Sequence, residues 1–496
     1  MRVFSESQSI PLAASTVLTL GFLVLAGCAV GPRYSRPTAP IPSQFKETPP
    51  DWKPAQPSDQ IAKGKWWEVF QDTQLNALEE QVKVYNQSLK AVQAQFDQAR
   101  ALVRFHHAAL YPNVTGGLNV TESHQSANRP NGSLALSNTY TDLQLAVDAS
   151  YEVDVWGSVR RAVQAARENA QATAADLESV SLSLHAELAS DYFQLRTLDA
   201  DEQLLNSTVA AYEKALELTQ NRYKGGIVSQ VDVAQAQTQL ETVRAQAIDL
   251  EVQRAQFEHA IAVLTGQPAS GFSLAPLPLE NTPPVVPTGL PSDLLERRPD
   301  VAGSERRMAA AHEQIGIARA AYFPTITINA NGGFESTSIT NWFNGPSGFA
   351  AAGISAIVTV FDAGRRRAVT EQATAAYNQS VANYRQTILA SFQEVEDSLA
   401  ALRILEDEAK TQDVAVRAAQ HSLDLSTNRY KGGVATYLEV ITAQSTALSD
   451  QRAAVEIAGR RMAASVSLIK ALGGGWSTAD LPIVQKNSQQ QSASGQ

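Results

Sequence analysis

Two short stretches decide the architecture: Asn221-Arg222-Tyr223-Lys224-Gly225-Gly226 and, in the other half of the chain, Asn428-Arg429-Tyr430-Lys431-Gly432-Gly433. They are not an isolated coincidence. Ala108-Ala109-Leu110-Tyr111-Pro112 is echoed by Ala320-Ala321-Tyr322-Phe323-Pro324, and Arg160-Arg161-Ala162-Val163 by Arg366-Arg367-Ala368-Val369, in the same order. Self-similarity in a fixed order marks a tandem duplication. Each copy reads as a helix, two strands, a very long helix, a tight turn and a return helix.

Upstream of each turn, no Gly or Pro occurs from Ser158 to Lys224 or from Arg365 to Lys431. Each stretch as continuous helix would be ~100 Å long. That is far beyond a globular helix and implies a coiled coil or a helical wall. Val159, Val163, Ala166, Ala170, Thr173, Leu177, Val180 and Leu184 alternate spacings of four and three, the seam of supercoiled helices. Its alanines let neighbouring helices approach closely. The Gly pairs suit a left-handed helix stop, and antiparallel return helices are predicted from Val231 to Leu264 and from Tyr437 to Leu472.

Between the helices the period changes to two. From Thr141 to Val155, Leu143, Leu145, Val147, Tyr151 and Val153 alternate with Asp142, Gln144, Asp148, Ser150, Glu152 and Asp154. This predicts a membrane strand with one face on lipid and one on a polar lumen; a soluble, half-buried sheet is the other reading. Val114, Leu118 and Val120 begin a partner strand. The second copy repeats the pattern more weakly through Ile326 and Ile328, then Ile354, Ala356, Val358 and Val360. Four strands are too few to close a barrel, since about eight is the smallest that fills its own interior. An open edge in lipid leaves backbone groups unpaired, so several chains must share one barrel.

The N-terminus reads as an export signal: Arg2, an apolar run from Leu12 to Leu25, then Leu25-Ala26-Gly27-Cys28. That tetrapeptide resembles a lipobox, in which Cys28 would carry S-diacylglycerol and N-palmitoyl lipid and become the first mature residue. Cys28 is the sole cysteine, so no intrachain disulfide exists. Ala29 stands where an aspartate would favour inner-membrane retention. The expected division is 1–27 signal peptide, 28–72 lipid-anchored N-terminal segment, 73–266 first repeat, 267–298 Pro-rich connector, 299–475 second repeat and 476–496 disordered tail. A net charge of -10 offers no basic stripe for nucleic acid.

Several motifs together resemble the TolC-type outer membrane factors, in particular the lipidated branch that serves resistance-nodulation-division (RND) pumps. These are Cys28-Ala29-Val30-Gly31-Pro32-Arg33-Tyr34 with Arg36-Pro37, Trp66-Trp67 with Phe70, Asp72 and Leu75, and Arg297-Arg298-Pro299-Asp300-Val301 leading to Ile315-Gly316 and Phe323-Pro324. The resemblance implies a mainly α fold with a membrane β contribution: a homotrimer whose shared twelve-stranded outer-membrane barrel continues into a long helical barrel. It also implies an inner-membrane RND transporter and a periplasmic adaptor as partners. Both NRYKGG turns would lie at the periplasmic tip.

The family carries two gate carboxylates one turn apart on the second return helix. Here Glu439 matches the first and Thr442 replaces the second, while Asp232 occupies the comparable place after the first tip. Arg429 and Tyr430 match tip residues that help hold the aperture shut. Their first-copy counterparts, Arg222 and Tyr223, read as packing residues. Catalytic constellations are missing: His106 and His107 are adjacent rather than four apart, and there is no G-x-S-x-G elbow or phosphate loop. The implied function is a passive efflux duct with no cofactor beyond the lipid. A protein-secretion duct, a periplasmic adaptor lipoprotein and, last, a secreted enzyme are the alternatives.

Overall fold

The computed structural model describes residues 30–38, 41–42, 44–47, 65–124, 126, 139–279, 282–284, 286 and 294–475. The first copy opens with α1 (Thr73–Tyr85) and α2 (Gln87–Ala108). Asn86 both ends α1 and caps α2, its side chain accepting from the Leu89 amide, so the single helix expected here is a bent pair. Then follow β1 (Asn113–His124), β2 (Thr139–Glu152), α3 (Ser158–Lys224) and α4 (Gln230–Leu264). The second copy comprises α5 (Leu294–Arg297), α6 (Pro299–Ala320), β3 (Thr325–Ser336), β4 (Gly348–Ile357), α7 (Arg365–Lys431) and α8 (Tyr437–Ala471). Both long helices run 67 residues without interruption, between the ends that the Gly- and Pro-free stretches predict. Asp154 and Asp362 accept from backbone amides in the first turn of α3 and α7, where the helix dipole favours negative charge.

The four strands form one antiparallel sheet in the order β1-β2-β3-β4. Register turns the alternation of single strands into two continuous faces. Leu118 lies opposite Leu145, which lies opposite Phe334; Val120 faces Leu143, and Ile328 bridges Tyr151 and Ile354. On the other face Thr115 meets Asp148, which meets Asn331, and Gln144 sits between Asn119 and Glu335. Val114, Leu118, Val120, Val147 and Ile354 all stay exposed. An uncovered apolar face opposite a carboxylate-bearing one is what lipid outside and water inside require, and it disfavours the soluble half-buried sheet. One expectation fails: β4 ends at Ile357, so Val358 and Val360 lie beyond the strand. They join Phe361, Tyr322 and Phe323 as an exposed apolar and aromatic rim near the helix junction, the position of an interfacial girdle.

The helices continue the order of the strands. α2 packs on α3, α3 on α6, and α6 on α7, so the helices adjoining β1, β2, β3 and β4 form a wall in the same sequence. The middle of that wall explains a feature the heptad alone misses. Val163, Ala166 and Ala170 make the expected seam, and Ala166 and Ala170 pack on Val103 of α2. Ala165, Glu168, Ala172 and Ala175 form a second buried seam toward α6, where Glu168 meets Arg306 and Gly303 lies close to Ala172 and Ala175. The margins differ. Val103 is the only buried side chain of α2, and none is buried in α7 from Arg365 to Asn383. The unpartnered edges of the sheet and of the wall therefore coincide.

The main core sits at the level of the short helices and connectors. Trp66, Trp67 and Phe70 are buried there with Tyr192, Phe193 and Met308. Arg196 joins Asp199, the Gln74 side chain and the Ala275 carbonyl, and Arg254 completes the network on Asp199. Arg298 makes the corresponding clasp in the second copy, reaching Asp300, Glu394 and the Ala471 carbonyl. The extended N-terminal segment lies along α6 and α7: the Tyr34 hydroxyl donates to Glu305 and Arg36 donates to the Tyr384 hydroxyl. Gly316 makes room for Arg161 of α3, which reaches over α6 to Glu313: a Cβ there would fall 2.4 Å from the Arg161 side chain.

Candidate functional site at the helical tips

Each long helix ends in the same backbone device. At the first tip the Gly226 amide donates to Tyr223 and the Ile227 amide to Arg222; at the second, Gly433 donates to Tyr430 and Val434 to Arg429. These are the paired bonds of a Schellman stop, with Gly226 and Gly433 in the left-handed region at φ 71° and 75°.

The side chains break this symmetry. In the first hairpin Ser229 and Asp232 close a capping box at the start of α4. The Ser229 amide donates to Asp232 Oδ2 at 3.0 Å, and the Asp232 amide to Ser229 Oγ at 3.4 Å. In the second hairpin Thr436 caps α8 without any side-chain hydrogen bond. Glu439, three residues on, pairs instead with Arg429 at 3.4 Å. Glu439 and Thr442 share one wall of a groove of about 430 Å³ between α7 and α8, together with Ser422, Ser426, Thr436 and Thr446. Thr442 Oγ1 donates to the Leu438 carbonyl, one turn back in its own helix.

Arg222 crosses between the hairpins. Its Nη1 donates to the Tyr430 carbonyl at 2.9 Å and the Lys431 carbonyl at 3.3 Å, and its guanidinium lies 4.6 Å from the centre of the Tyr430 ring. Tyr430 is only 4% exposed and packs on Tyr437, Val440 and Ala236. Burial, reinforced by Tyr430, pushes the Tyr437 phenol up to about 12. Tyr223, expected to pack like Arg222, is 45% exposed.

Farther from the tips two more contacts tie the hairpins together: Gln239 to Ser445 at 2.7 Å, and Arg452 to both carboxylate oxygens of Asp201. The hydrogen bond that it donates to Asp201 raises the pKa of Arg452 and holds its charge. These partners are far apart in sequence and share no motif, so a single sequence gives no signal for them. Cys28 lies outside the described residues. The nearest described neighbour on that strand of chain, Val30, donates its amide to the Trp156 carbonyl just past β2. Trp156 stacks on Phe323 and donates to the Pro324 carbonyl. Among the described residues no group of three or more His, Cys, Asp or Glu could hold a metal ion.

An open membrane sheet, continued by an open helical wall that ends in two linked hairpins, defines a subunit of an outer-membrane duct. The sequence model of the outer membrane efflux protein family matches residues 78–267 and 290–474. The toluene efflux pump outer membrane protein TtgC of Pseudomonas putida is 32% identical over 462 residues, 92% of this chain and 95% of that protein. The pyoverdine export outer membrane protein OpmQ of Pseudomonas aeruginosa is 30% identical over 471 residues, 94% of this chain and 98% of that one. The solved outer-membrane channel OprN superposes with a TM-score of 0.83 at 26% identity, over 90% of this chain and all of its own. The chain belongs to the outer membrane efflux protein family. It is the outer-membrane channel of an efflux pump.

Proposed function

We propose that this channel is a lipid-anchored homotrimer that passively conducts small toxic compounds delivered by an inner-membrane RND transporter and a periplasmic adaptor, performing no covalent chemistry itself. The observation that carries this reading is the coincidence of open edges: β1 and β4 bound the sheet exactly where α2 and α7 bound the wall. In lipid the unpaired strand edges must be satisfied, and two further copies satisfy sheet and wall at once. The Val30 to Trp156 bond ties the chain, two residues after Cys28, to the membrane-proximal rim. This supports an acyl anchor on Cys28 inserted beside the barrel. The relatives carry different cargo in their names, toluene and pyoverdine, which supports a duct that does not itself select. Glu439 then lines the periplasmic aperture, brought together with its symmetry mates.

The test is export in cells. A strain lacking the gene should accumulate a fluorescent amphiphilic dye, and the wild-type gene should restore its efflux. Unchanged dye levels together with a depleted secreted-protein fraction would replace this reading with a protein-secretion duct. Intact mass of the membrane-extracted chain should show three acyl groups on a mature N-terminal Cys28; an unmodified thiol removes the anchor from the account.

A further inference from the structure

We propose that Arg429 is a positioning residue for the aperture carboxylate: it holds Glu439 out of a capping box that the start of α8 is otherwise built to form. The inference rests on the assignment of Glu439 to the aperture. Thr436-Tyr437-Leu438-Glu439 has the T-x-x-E spacing in which the first hydroxyl and the fourth carboxylate each accept from the other residue's amide. The backbone is already in place, with Thr436 at φ -80°, ψ 157° against -86°, 160° for Ser229, whose box is closed. Yet Thr436 makes no side-chain cap bond, and the Glu439 carboxylate faces Arg429 instead.

Side-chain length does not account for the open box. Glutamate is the residue the motif favours, and the shorter Asp232 closes the equivalent one. What differs between the tips is the arginine. Arg222, the repeat mate of Arg429, is engaged on the Tyr430 and Lys431 carbonyls and leaves Asp232 to its cap. Among the described residues Arg429 has no such engagement across the hairpins, and its guanidinium takes the carboxylate. Without that pull Glu439 folds back onto the Thr436 amide, and its carboxylate, still charged, moves to the Thr436 end of the groove, away from Thr442, Ser422 and Ser426.

This gives a prediction of unusual sign. Removing a cation near a pore ordinarily raises cation preference, because a repulsive charge is lost. Here Arg429→Gln is expected to lower it, by less than Glu439→Gln does because the capped carboxylate keeps its charge, while Arg429→Lys keeps it near wild type. The measurement is the reversal potential in planar bilayers under a KCl gradient, on full-length trimer. Adding Thr436→Pro to Arg429→Gln removes the amide that would receive the carboxylate and should restore cation preference; φ at this position already suits proline. If Glu439→Gln lowers cation preference but Arg429→Gln raises it or leaves it unchanged, the positioning role is overturned and the aperture assignment stands. If Glu439→Gln itself has no effect, the aperture assignment fails. Should the proline variant not assemble, the opposite signs expected of Arg429→Gln and simple charge removal still decide.

Discussion

The two tips are built from the same six residues and the same backbone turn, yet they carry opposite duties. At the first, Arg222 leaves its own hairpin to grip the second, and Asp232 is absorbed into a helix cap. At the second, Tyr430 is buried beneath that grip, while Arg429 and Glu439 remain at the surface facing each other. Duplication supplied two equal carboxylate positions, and the crossing arginine decided which stays available. On the proposed reading the first hairpin is a structural strut and the second carries the aperture charge.

Breaking the strut should have the largest effect. Arg222→Ala removes charge-assisted bonds to two carbonyls and the stacking on Tyr430, together about 2 kcal/mol from such contacts. The hairpins should part more readily, and single-channel conductance should rise well above wild type. Unchanged conductance would mean that Gln239, Asp201 and Arg452 hold the hairpins without it.

A smaller effect separates the two carboxylates. Asp232→Ala loses the capping box, a cost of about 1 kcal/mol. Faster amide exchange is expected in the first turn of α4, with ion selectivity unchanged. A fall in cation preference as large as that of Glu439→Gln would show the two positions to be equivalent after all. Smallest in energy is Thr442→Asp, which sets a second carboxylate one turn after Glu439 at a like-charge cost of a few tenths, ~0.3 kcal/mol. Its effect should appear in function: multivalent cations should block the channel more strongly, because rings of carboxylates bind them in a narrow pore. Block no stronger than wild type would place Thr442 off the aperture.

Much of this fold was legible because it is written in local rules. Absence of Gly and Pro set both long helices, the Gly pairs set the turns, and alternation found the strands. What escaped was any property that depends on a neighbour. The second seam of α3 needed knowledge that α6 lies beside it, since Ala165 and Ala172 read as ordinary helix formers. Val358 and Val360 continue an alternating pattern, but strand pairing stops at Ile357. At the tips the carboxylates could be located by position, whereas their separation into a capped Asp232 and an Arg429-paired Glu439 depends on where the two arginines reach. A capping-box spacing exists at both sites, and sequence alone cannot show that only one is closed.

The open edges of the sheet and the wall can be closed only by further copies. The mass of the protein particle, measured in mild detergent after extraction from the outer membrane, tests this most directly. One dominant species of three chains is the predicted result. A monodisperse monomer would contradict it, because β1, β4, α2 and α7 would then need no partner and the duct would have no wall.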